Sequence, residues 1–206
     1  MLSDPVIEFC GVSKAYSRGI GRHGTLRDDI MALFHHNTAE QKLGKNEFYA
    51  LRDISFSVPN GKCVGLYGPN GSGKSTLLKL IANVITPNAG QVIINGRIAP
   101  LIELGAGFHP DLSGVENIFM NGAILGMRIG EIKSKLDRIV DYSGLGDFIS
   151  TPVKKYSSGM KLRLGFSVAI HSEADVFLFD EILAVGDEAF QRKSLNSIQT
   201  LLDQHR

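Results

Sequence analysis

The residues best suited to chemistry lie in one run, Gly68-Pro69-Asn70-Gly71-Ser72-Gly73-Lys74-Ser75-Thr76. Its spacing fits G-x-x-x-x-G-K-[ST], the P-loop pattern, and each fixed position serves polyphosphate binding. Glycines let the backbone wrap closely and turn its N–H groups inward. A helix beginning near Ser75 would add the positive end of its dipole. Lys74 would reach the β- and γ-phosphates, and the Ser75 hydroxyl would sit on Mg²⁺. The flanks have the order such a cradle requires. An apolar run, Val64-Gly65-Leu66-Tyr67, is expected as a strand, and Leu77-Leu78-Lys79-Leu80-Ile81 continues as a helix. The implied ligand is a nucleoside triphosphate.

A second candidate is the pair of carboxylates closing Asp175-Val176-Phe177-Leu178-Phe179-Asp180-Glu181. An unalternating apolar run suits a strand buried on both faces of a parallel sheet. Its end would present Asp180 to Mg²⁺ beside Ser75, and Glu181 to an attacking water as general base.

The elements that must position these groups read as an α/β chain. Val6-Ile7-Glu8-Phe9 opens as a short strand, with irregular sequence expected after it. Residues 17–47 read as an insertion, with an amphipathic patch from Leu26 to Phe34. Strand alternation resumes from Ala50 to Val58, and Pro59-Asn60-Gly61-Lys62 is a turn. The helix after the P-loop is expected to stop near Ile85, before Thr86-Pro87-Asn88-Ala89-Gly90. Short strands follow at Gln91–Ile94 and Ile98–Ile102. A helical block is expected over about 113–172, with Ile132, Leu136, Ile139 and Val140 at helix spacing, Ile124 more loosely in the pattern, and Leu162, Phe166 and Ala169 facing inward. The 206 residues fit one domain.

Composition narrows the class. A formal net charge of +1 argues against a strong electrostatic grip on nucleic acid. No apolar run approaches the roughly 18 residues of a membrane span. Cys10 and Cys63 lack metal-site spacing and are expected as two buried thiols in a reducing cytosol.

The order of P-loop, helical insert, serine–glycine loop and apolar strand ending in Asp-Glu resembles the ATP-binding subunit of an ABC transporter. The signature loop of that family is represented by Tyr156-Ser157-Ser158-Gly159-Met160. Ser157 and Gly159 match the family pattern, whereas Tyr156, Ser158 and Met160 depart from its common form. With Glu103-Leu104-Gly105-Ala106-Gly107-Phe108 and Glu181-Ile182-Leu183-Ala184-Val185-Gly186-Asp187, this variant is similar to the branch that exports O-antigen, capsule-like polymers or teichoic acid.

The resemblance implies a P-loop ATPase core with a mixed sheet, an antiparallel β subdomain and an inserted helical subdomain. It implies ATP and Mg²⁺, a homodimer of nucleotide-binding subunits, and a separate integral membrane permease at the cytoplasmic face of the membrane. Ser157, Ser158 and Gly159 would touch the ATP of the partner subunit. Tyr16 would stack on adenine, with Phe48 and Tyr49 as rivals for that place. Ala184 to Asp187 match the loop that crosses between subunits. Glu103 takes the place of a family glutamine near Mg²⁺, and a simple loop acid is the other reading. The family's switch histidine would fall beyond Arg206; His205 does not match it, and the sequence is expected to be cut short. Two other functions fit the same motifs: a soluble ATPase of this type not linked to transport, and a nucleotide-binding module with little turnover.

Overall fold

The computed structural model describes residues 5–17, 46–101, 107–179 and 187–203. Strand β1 (Ile7–Ser17) is the spine of a three-stranded antiparallel sheet, between β2 (Glu47–Val58) and β3 (Ala89–Ile94). β1 is therefore longer than the short opening strand expected from Val6–Phe9. Register shifts between Phe9 and Ala15 let it bend and keep its ladder with β2 to the end, where Ser17 faces Glu47. Residues 18–45, including the Leu26–Phe34 patch, lie outside the described residues.

Helix α1 (Lys74–Ile81) follows the P-loop and stops four residues before the expected Ile85. The reason is local. Asn83 adopts φ 55°, Val84 N–H donates to Lys79 O, and Asn83 N–H donates to Leu80 O. These are the two bonds of a Schellman stop, with asparagine in the left-handed position.

The expected strand at Val64–Tyr67 does not form. Residues 62–70 run without ladder partners, with Val64 54 % exposed and Tyr67 fully exposed. Four residues interrupted by Gly65 have little intrinsic hold on the extended state, and strand formation depends on neighbours that pair and pack. Cys63 belongs to this run and is exposed, while Cys10 is half-buried, so neither is the buried thiol expected.

β4 (Ile98–Pro100) pairs in parallel with β5 (Val176–Leu178). Between them in sequence come α2 (Gly114–Ile124), α3 (Ile129–Ser143), two 3₁₀ turns (Gly146–Ser150 and Val153–Lys155) and α4 (Ser158–Ile170). α5 (Glu188–Asp203) follows β5 in chain order. The sheet, α1 and β5 share one apolar core, with Phe9 stacked on Phe56 at 4.6 Å between ring centroids. A second core joins the helices through Ile118, Ile132, Ile139, Leu162 and Phe166, and reaches Ala99 in β4 and Leu101 just after it. Leu162, Phe166 and Ala169 are inward as their spacing requires, but Ile124, the last residue of α2, is exposed.

The helical block is pinned at a buried amide. Asn117 is fully buried, and its Oδ1 accepts from His109 N–H at 2.8 Å. Its Nδ2 donates toward the carbonyls of His109, Leu112 and Ser113 at 2.9–3.1 Å. Ser113 closes a capping box with Glu116, and those bonds hold the Glu116 carboxyl below its usual range. The same loop binds the segment leading to Ser157, because Val153 N–H donates to Leu112 O and Lys154 N–H to Pro110 O. Removing the amide takes the acceptor from His109 N–H and one of the donors from each of the carbonyls of His109, Leu112 and Ser113. Asn117→Ala is expected to lower the unfolding free energy by about 2–3 kcal/mol in a urea titration.

Candidate functional site

The P-loop is shaped by residues that can turn left-handed. Gly71 and Gly73 have φ 82° and 93°, and Gly73 is the N-cap of α1. A Cβ on Gly73 would lie 2.6 Å from Ala50 O and 2.9 Å from Leu51 Cδ2, so only glycine lets the loop pack on β2. A Cβ on Gly71 would meet nothing within 4 Å, so that side of the loop is open. The start of α1 has no side-chain cap and no acidic residue in its first turn. Its backbone donors and dipole therefore face the loop without a carboxylate competitor from that turn.

Lys74 is folded back onto the loop. Its ammonium donates to Gly68 O at 2.7 Å and to Pro69 O at 2.9 Å. Two carbonyl dipoles hold a full positive charge beside the helix start, an arrangement a polyphosphate can enter by replacing neutral acceptors with anionic ones. Asn70, Gly71, Gly73, Lys74, Ser75 and Thr76 line a cleft of about 840 Å³. Gly68, Pro69 and Ser72 complete the turn, with Ser72 N–H donating to Pro69 O.

The cleft also gathers residues far from the loop in sequence. Tyr16 and Phe48 line it from the β1–β2 ladder, and Val176 to Phe179 line it from β5 and the residue after it. Asp180, Glu181 and Glu103 lie outside the described residues, as do residues 184–186. Ser75 is thus the one proposed Mg²⁺ ligand whose position is described, and its hydroxyl beside the phosphate loop is a hard oxygen donor of the kind Mg²⁺ takes. Among the described residues no cluster of three His, Cys, Asp or Glu could hold a metal ion.

Ser157, Ser158 and Gly159 do not line this cleft. They sit at the start of α4, where Ser157 Oγ accepts from Met160 N–H and both serines are exposed. The preceding residue fixes their position. Tyr156 is buried and its hydroxyl donates to Phe148 O at 2.7 Å, while burial pushes the phenol's pKa up. A Cβ on Gly114 would lie 2.3 Å from that hydroxyl, so the tyrosine fits only beside glycine.

Two positioning contacts escaped the sequence reading. Arg163 on α4 pairs with Asp187, and its guanidinium lies 5.5 Å from the centre of the Phe190 ring. Asp187 Oδ1 also accepts from Phe190 N–H, an N-cap bond at the start of α5. An Asp directly before an amphipathic run announces such a cap in sequence. Its arginine partner, 24 positions upstream (187 minus 163), carries no local signal.

A family model described as "ABC transporter" matches residues 51–184, well over half the chain. The chain belongs to the ABC transporter family. It is 58 % identical over 146 residues to the O-antigen export system ATP-binding protein RfbB of Myxococcus xanthus, covering 71 % of this chain and 33 % of that protein. It is 47 % identical over 163 residues to the teichoic acids export ATP-binding protein TagH of Lactococcus lactis, covering 77 % of this chain and 35 % of the relative. The chain thus spans about a third of the length of these two curated relatives. In fold it is similar to a dimeric post-hydrolysis state of the ATP-binding cassette MJ0796 bound to ADP and Pi. That likeness has a TM-score of 0.71 at 19 % identity, over 96 % of this chain and 83 % of that one. The resemblance to an ABC cassette, and to its polysaccharide-exporting branch, is borne out by these matches.

The glycine geometry gives a direct test of how the loop is built. Gly73→Ala is expected to cost about 1–3 kcal/mol of unfolding free energy, through strain at positive φ and the clash with Ala50 O. Gly65→Ala, where the added methyl meets nothing within 4 Å, is expected to stay within about 0.5 kcal/mol in the same measurement.

Proposed function

We propose that this chain is the ATP-binding and ATP-hydrolysing part of an ABC exporter of a cell-surface polysaccharide, an O-antigen, a capsule or a teichoic acid. The observation that carries the reading is the Lys74 ammonium, held only 2.7 Å and 2.9 Å from neutral carbonyls at an uncapped helix start. It is supported by relatives that are ATP-binding proteins of O-antigen and teichoic acid export systems.

In this reading Gly68 to Thr76 wrap the triphosphate, and Lys74 exchanges the Gly68 and Pro69 carbonyls for phosphate oxygens. Tyr16 takes the adenine. Ser75 and Asp180 would hold Mg²⁺, with Glu103 a further oxygen donor. The bound ion supplies charge neutralisation to the phosphates. Glu181 orients a water and accepts its proton as the oxygen attacks the terminal phosphorus; the bond to the bridging oxygen breaks, leaving ADP and phosphate. Ser157 and Ser158, which are exposed, and the half-buried Gly159, none of them lining their own cleft, cap the ATP of a second copy, which gives a homodimer in which ATP binding and association are linked.

Among the described residues no helix is long and apolar enough to cross a membrane. We assign the transmembrane path to a separate permease subunit, with this chain peripheral at the cytoplasmic face. The net charge of +1 favours this over a nucleic-acid partner.

Lys74→Ala is expected to abolish most ATP affinity in an equilibrium titration, and unchanged affinity would refute the assignment of the loop. Glu181→Gln is expected to slow phosphate release at steady state by orders of magnitude while ATP affinity is kept. Wild-type turnover in that variant would remove Glu181 from the role of base.

A further inference from the structure

We propose that Phe48 is a second base-binding residue, forming with Tyr16 a two-ring platform for the purine of the nucleotide. The proposal rests on the reading of the cleft as an ATP site and adds to it a residue from the other side of the 18–45 segment. Tyr16 and Phe48 are direct partners in the β1–β2 register. Their ring centroids are 6.1 Å apart with planes tilted by 35°. Tyr16 is 36 % exposed and Phe48 38 % exposed, and both line the cleft that contains Gly71, Gly73 and Lys74.

Strand geometry separates Phe48 from the aromatic beside it. Side chains alternate along β2, so Phe48 and Ala50 share one face while Tyr49 points to the other. Phe48 and Ala50 line the cleft and Tyr49 does not. Tyr49 instead lies near Arg52, whose guanidinium is 5.5 Å from its ring centre.

Tyr16 is braced from its own strand. Lys14 donates to Thr86 O at 2.8 Å and places its ammonium 5.6 Å from the Tyr16 ring centre. Both rings are therefore placed by the one β1–β2 ladder, and Tyr16 is held further through Lys14. A fused purine is wider than one phenol ring, and a tilted pair of aromatics offers it a broader apolar contact. Base–aromatic stacking tolerates such a geometry because it depends on face contact rather than on hydrogen bonds.

The plain alternative is a cross-strand aromatic pair that only stabilises the end of the ladder. Titrating ATP and inorganic tripolyphosphate separately distinguishes the two. Phe48→Ala is expected to weaken ATP binding about tenfold and leave tripolyphosphate binding unchanged. The chain contains no tryptophan, so Phe48→Trp provides a single emission reporter, expected to keep ATP affinity and to be quenched at saturating ATP. Unchanged ATP affinity in Phe48→Ala, equal losses for ATP and tripolyphosphate, or an unresponsive tryptophan would each overturn the platform. Lys74→Ala reports on the other half: it is expected to lose both ligands. Retention of both there would sink the ATP-site reading and the platform with it, whereas loss of both there together with unchanged ATP affinity in Phe48→Ala would overturn the platform alone.

Discussion

The tight packing of Gly73 on Ala50 is the constraint on which the site depends. The phosphate loop is a local feature of sequence, but its usefulness comes from where it is held. A left-handed glycine whose missing Cβ would fall 2.6 Å from the Ala50 carbonyl fixes the start of α1 against β2. β2 is also the strand that carries Phe48, and it pairs with the strand that carries Tyr16. One backbone contact therefore sets the spacing between the phosphate end and the aromatic end of the cleft. Neither end has to be placed by flexible side chains. That is the arrangement in which binding costs least conformational entropy.

The helical block solves a different problem, presenting the Ser157 turn at a surface. Tyr156 does this from below, with its hydroxyl bound to Phe148 O and seated in the space Gly114 leaves. Asn117 and the backbone bonds of Val153 and Lys154 then join the 109–113 loop to the same turn. At its other side α4 meets α5 through Arg163, Asp187 and Phe190. The turn is thus held by contacts from two directions, and a movement of either neighbour would carry it along.

How much of this was legible in the sequence depends on how local each cause is. The glycines of the P-loop, the Ser157 cap of α4 and the inward stripe of Leu162, Phe166 and Ala169 are set by residues within a few positions of one another, and each is found where spacing puts it. The stop of α1 was local too, but it hinged on Asn83 taking the left-handed state, and the Thr86-Pro87 breaker a few residues later masked it. Val64–Tyr67 was misread because an apolar run becomes a strand only when a neighbour pairs with it. Tyr16 and Phe48 were read as rivals, since only the ladder register reveals them as partners. Asn117 and the Arg163–Asp187 pair draw their roles from tertiary neighbours, which no window of sequence contains.

The pairing of Ser17 with Glu47 has a consequence for how this protein can vary. The ladder brings the two ends of the intervening chain side by side before that chain contributes anything. Closing a longer connection between ends already apposed costs only about 0.6 kcal/mol per doubling of its length. The segment between them can therefore be lengthened, shortened or exchanged with little penalty to the strands that flank it. Its two ends lie beside Tyr16 and Phe48, which line the cleft. The junction of Ser17 with Glu47 is thus a point where the fold accepts new sequence at little cost to its strands.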